Sequence, residues 1–153
     1  MNKLHWKYHD GGRSKWFTGD AGDCVTRAIS IASDQDYKTV YDKIFQLQKD
    51  YRDSHRNFFA KHLAKGNNAS PRDGVWKQVI HDYVLSLGFT WIPTMKIGTG
   101  CKVHMKADEL PKGTLILRVS RHMVTVIDHT IFDNHDPSRN GTRCVYGYYQ
   151  KII

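Results

Sequence analysis

Gly88 divides the hydrophobic patterning of this 153-residue chain, and no other feature narrows its fold as much. Before it, apolar residues recur at helical spacing; after it, they alternate in short runs broken by turn residues. Val25, Ala28, Ile29 and Ala32 fall at i, i+3, i+4 and i+7, which predicts a helix opening at Asp23-Cys24 with Asp23 as its N-cap. Tyr37, Val40, Tyr41, Ile44 and Phe45 mark a second helix ending near 49–52. Trp76, Val79, Ile80, Tyr83, Val84 and Leu87 mark a third, and Gly88 is placed to close it in a left-handed cap. Between them, residues 53–73 read as a short helix over 57–65 and a loop over 66–71.

Strands are expected over 89–94, 114–119, 122–128, 131–134 and 143–151. Leu110-Pro111-Lys112-Gly113 and Ser138-Arg139-Asn140-Gly141 supply turn signals between them. Residues 1–22, aromatic, basic and glycine-rich, read as an irregular lead-in. Helices followed by an antiparallel sheet give an α+β fold, one domain over 1–153, with the helices packed on one face of the sheet.

Composition removes several function classes. No apolar run is long enough to cross a bilayer and Met1-Asn2-Lys3 opens no signal-peptide pattern, so a cytoplasmic protein with no membrane partner is expected. The three cysteines are an odd set at irregular spacing, which predicts reduced thiols rather than a disulfide framework. Cys101 and His104 form a Cys-x-x-His pair with no second pair at zinc-finger spacing; neither a metal nor a cofactor is expected. The net charge of +8 permits contact with nucleic acid, but the charges are scattered and read as a solvated surface. Arg52, Arg56, Lys61, Lys65 and Arg72 are the nearest approach to a nucleic-acid-binding cluster. Nothing in the patterning sets an oligomeric state.

Three residue types that make a thiol nucleophile occur in an instructive order. Cys24 opens a helix, where the partial positive charge of the N-terminus favours a thiolate, although a cysteine there is often only a small buried hydrophobe. His122 opens a strand in which Val124, Val126 and Asp128 share its side. If Asp128-His129 form a two-residue turn, Ile127 pairs with Thr130, and Asp133 then shares a face with His122 and lies diagonally adjacent to it. Asp133 is thus the expected orienter of the imidazole; a bulge or a longer turn would bring Asn134 or Asp136 to that face instead.

Gly22-Asp23-Cys24-Val25-Thr26-Arg27-Ala28 and the run 110–128 together resemble the papain-like cysteine peptidase superfamily. Small papain-like proteins of phage and bacterial genomes are similar in their Cys-Val-x-Arg-Ala helix start and in an ending like Arg143-Cys144-Val145-Tyr146-Gly147-Tyr148. The resemblance spans most of 20–150. It implies a papain-like fold and a thiol hydrolase acting on a protein or peptide, with Cys24 as nucleophile, His122 as general base and acid, and Asp133 as orienter. It also implies a host-cytoplasm setting if the chain is phage-encoded. His135 stands where the superfamily usually has tryptophan, and His129 where it has a turn glycine. The superfamily's upstream oxyanion donor is usually glutamine; the stretch 16–20 has no amide side chain, leaving Thr18 and Trp16 as candidate donors. A catalytically silent papain-like scaffold that binds a host or virion protein is the alternative the same resemblance allows.

Overall fold

The computed structural model describes residues 3–18, 23–54, 77–96 and 98–152. The expected helix over 57–65, the loop over 66–71, Gly22, Trp76 and four of the five cluster cations (Arg56, Lys61, Lys65, Arg72) lie outside them. Among the described residues there are three α-helices, α1 Cys24–Ser33, α2 Tyr37–Ser54 and α3 Lys77–Ser86, and six strands, β1 His5–Tyr8, β2 Phe89–Pro93, β3 Thr114–Val119, β4 His122–Ile127, β5 Thr130–Asp133 and β6 Gly147–Lys151. The strands form one sheet in the order β1-β5-β4-β3-β6-β2. Every pairing is antiparallel except β1 with β5, which is parallel. No helix among the described residues is long and apolar enough to cross a membrane.

The helices cover one face, as the pattern requires. Val25, Ala28, Ile29 and Ala32 of α1, Val40 and Ile44 of α2, and Ile80, Tyr83 and Val84 of α3 pack on Phe89, Ile116, Met123 and Tyr149 of the sheet. Burying each such side chain contributes about 1.5–3 kcal/mol, which fixes the stripe inward. Gly88 takes φ +91° and closes α3 as expected. The opposite face carries a second core, in which Leu115, Leu117, Val124, Val126 and Ile131 meet Leu4, Met105, Leu110 and Val145.

Four expectations are corrected. The lead-in is not wholly irregular: β1 lies along β5, and a 3-10 turn spans Arg13–Lys15. The last strand begins at Gly147 rather than 143, because the backbones of Arg143 and Val145 bond instead to Met105 and Val103 (3.0 and 2.8 Å). That pairing places Cys101 beside Cys144, and the two form a disulfide. A separation of 43 residues hides this proximity from spacing rules, and the odd cysteine count resolves into one bridge and one free thiol, Cys24. Finally, Asp23 occupies the N-cap position of α1 but makes no side-chain cap; its carboxylate is drawn to buried arginines.

Candidate active site

Asp128 and His129 form the tight turn, with φ of 47° and 67°, and Ile127 pairs with Thr130. These are the left-handed conformations of a type I′ turn, which histidine adopts less readily than glycine. A hydrogen bond between His129 Nε2 and the Leu110 carbonyl at 2.8 Å holds the ring of that turn residue. The register carries His122, first in β4, and Asp133, last in β5, to neighbouring strand ends on one face.

His122 Nε2 lies 2.6 Å from Asp133 Oδ2. The Cys24 thiol lies beside the same ring, close enough for each group to shift the other's pKa, so with Nε2 engaged by the carboxylate, Nδ1 is the nitrogen left for sulfur. Burial works to lower the His122 pKa, but the hydrogen bonds and charges of Asp133 and Cys24 outweigh it and raise it to about 9. Burial likewise works to raise the Cys24 thiol. It is outweighed by His122, by the Met123 backbone N–H and by the charge of Arg27, so the thiol is held below its ordinary 9.0. Burial would raise Asp133 too, yet its bond to His122 and the Asn134 N–H hold it below the usual carboxylate value. These shifts all run in the direction that favours a thiolate–imidazolium pair, backed by a carboxylate, over the neutral pair.

Several side chains hold this geometry. Thr125 Oγ1 donates to the Ala28 carbonyl at 2.6 Å, fastening β4 to α1 and hence His122 to Cys24. Arg27 lies one turn after Cys24 and bridges two carboxylates, Asp23 and Asp133, the latter at 3.3 Å. Asp23 is almost fully buried and is also bonded by Tyr37 Oη and approached by Arg13 at 3.6 Å. The Asp23 charge, which would oppose a thiolate next door, is spent on these partners. On the far side β1 steadies Asp133: its carbonyl accepts from the Trp6 indole at 3.2 Å and from the His9 N–H at 2.9 Å. Sequence reasoning overlooked Arg27 and β1. The i,i+4 spacing of Asp23 and Arg27 was the available signal for the first; β1 offered none.

The other candidates fall elsewhere. Asn134 Oδ1 accepts from His135 Nδ1 (2.7 Å), and Asp136 accepts from the Ser138 N–H (3.0 Å), so neither meets His122. The His135 ring lies 5.2 Å from that of His122, centroid to centroid, with its side chain over half exposed. Trp16 is 49% exposed and Thr18 is exposed, and neither side chain makes a hydrogen bond among the described residues. His104 pairs with Glu109 at 3.1 Å and Cys101 is in the disulfide, so the Cys-x-x-His pair has other partners. His122, Asp133 and His135 do present ligand-type atoms within 4.8 Å of one another. A metal there would have to displace the short His122–Asp133 hydrogen bond. Comparison with protein-family models, curated proteins and solved structures finds no match to this chain.

Proposed function

We propose that this protein is a thiol hydrolase of papain-like design, acting on a peptide, isopeptide or other acyl bond of a protein or peptide. The observation that carries the reading is the single imidazole held between a free thiol at a helix start and a buried carboxylate. In the reaction, the Cys24 thiolate attacks the acyl carbon and the carbonyl electrons move to oxygen. As the first helical residue, Cys24 has a backbone N–H without an intrahelical acceptor, which can donate to that oxyanion. The oxyanion collapses, the bond to the leaving amine breaks, and His122 gives the amine its proton from Nδ1. Water then adds to the thioester, His122 taking its proton, and the acid leaves with the thiolate restored. Asp133 holds the ring in the productive orientation throughout and stabilises its charged form.

Alkylation with iodoacetamide or an epoxysuccinyl peptide tests the chemistry. Cys24 should react at near-neutral pH much faster than an ordinary thiol, and His122→Ala should remove the advantage. Reaction at an ordinary rate, unaffected by His122→Ala, would refute the reading. The second reading, a scaffold that binds without catalysis, is favoured by the exposure of Thr18 and Trp16, since loss of one oxyanion donor costs about 10²–10³ in rate. Full biological activity in a Cys24→Ala protein would select it.

A further inference from the structure

A second polar feature lies on the helix-bearing face next to the thiol. Lys77 and His81 of α3, Trp91 of β2, Arg118 of β3, and Tyr146 and Tyr149 line an open groove of about 360 Å³. Its aromatic wall is built closely. The Trp91 and Tyr149 rings lie 4.7 Å apart, and the indole presses on Gly147 so tightly that any Cβ there would overlap it. Polar groups converge on the fully buried Tyr149, whose hydroxyl lies 3.0 Å from His81 Nδ1 and is under the influence of the nearby Arg118 guanidinium. A guanidinium can only donate, so the arrangement favours the Tyr149 oxygen as acceptor toward Arg118, with its own proton directed to His81 Nδ1. That leaves His81 Nε2–H, the remaining guanidinium donors, the Lys77 ammonium and the Tyr146 hydroxyl to face a ligand. Among the described residues no carboxylate lines the groove; the neighbouring acid, Asp82, accepts from Gln78 at 2.8 Å.

Strand register fixes where the groove stands relative to the thiol. The Met123 backbone N–H lies close enough to the Cys24 sulfur to help lower its pKa, Met123 pairs across the sheet with Arg118, and Arg118 pairs with Gly147. Adjacent strands are about 4.8 Å apart, so Arg118 is about 5 Å and Gly147 about 10 Å from Met123 along the sheet. An extended peptide advances about 3.3 Å per residue and would reach the groove two or three residues from its reacting carbonyl. We propose that this groove is a specificity subsite that takes the carboxylate side chain of an Asp or Glu in the substrate. The inference rests on the thiol-hydrolase reading for its place in a reaction, but not for the binding itself.

Binding to the full chain carrying Cys24→Ala separates the two. Alanine hexapeptide amides bearing one Glu, moved through each position, would be titrated against the same peptides bearing Gln, with Trp fluorescence or NMR as readout. At one or two positions Glu should bind about tenfold tighter, as charge-assisted hydrogen bonds warrant, and the difference should shrink as salt rises. Arg118→Gln should erase most of that preference, and Lys77→Gln, on an exposed helix position that tolerates the change, should reduce it. Equal binding of Glu and Gln at every position would overturn the proposal. So would a preference that both substitutions leave intact, or tight binding confined to a phosphoserine peptide. Cys24 alkylation in the unsubstituted protein judges the hydrolase reading on its own, so ordinary thiol reactivity with a retained Glu preference would sink that reading and leave this subsite standing.

Discussion

Asparagine in place of Asp133 removes the charge behind His122 while keeping the shape. His122 stands at about 9 against an ordinary 6.5, a gap of about 2.5 pH units, or about 3 kcal/mol at 1.36 kcal/mol per unit. Burial opposes that rise. Among the groups that produce it Asp133 comes first and Cys24 second, so losing the Asp133 charge should lower the His122 pKa by about one to two units. The population of the thiolate–imidazolium pair relative to the neutral pair follows the difference between the two pKa values, so it falls about ten- to hundredfold. The assay is the initial rate of Cys24 alkylation by iodoacetamide across pH, with no second free thiol to confuse the count. In the unsubstituted protein the rate should rise below pH 9.0, the ordinary value for a thiol, because the imidazolium favours the thiolate. In Asp133→Asn that rise should move toward 9.0. The amide oxygen can still accept from the Asn134 N–H (2.7 Å) and face Arg27, so the fold should hold, which a thermal melt checks. Superimposable alkylation profiles would refute the assignment of the His122 pKa to Asp133.

Three further outcomes follow from the contacts around the site. Arg27→Met should lower the unfolding free energy read from denaturant titration by about 3–5 kcal/mol, since it strips a partner from the buried Asp23 charge. Arg27→Lys should recover only part of this, because one ammonium cannot span both carboxylates as the guanidinium fork does. Thr125→Val should cost about 1 kcal/mol and slow Cys24 alkylation, because the hydrogen bond it loses joins α1 to β4; an unchanged rate would show that packing alone aligns the site. Reducing the Cys101–Cys144 disulfide should lower stability by about 3–4 kcal/mol, from the entropy of releasing a loop whose ends are 43 positions apart, while leaving Cys24 alkylation at room temperature unchanged.

Elements whose signal is local were legible in the sequence. The α1 stripe, the cap at Gly88 and the strand 114–119 agree with the pattern because burial of one face decides them residue by residue. The pairing of Ile127 with Thr130 was legible for a related reason: a two-residue turn leaves one register, and that register alone aims Asp133 at His122. What escaped was long-range. The side chains of β1 are all exposed, so it has no apolar alternation and exists through backbone pairing with a strand more than a hundred residues later. The disulfide and the late start of the last strand share one cause, the pairing of 103–105 with 143–145, which neither segment announces. Asp23 deserved a different reading because its local capping option competes with two arginines and a tyrosine that only the folded chain assembles.

The two cores lie on opposite faces of the sheet, and the strand alternation that puts Met123 against the helices puts His122 and Asp133 on the other side. Cys24 arrives with the first core, while His122 and Asp133 stand at the ends of β4 and β5, whose Val124, Val126 and Ile131 belong to the second. A chain with one core formed and the other molten would therefore hold a thiol of ordinary reactivity. Enhanced alkylation at Cys24 is a coincidence signal for both halves of the fold, and in a refolding experiment it should appear with whichever core consolidates last.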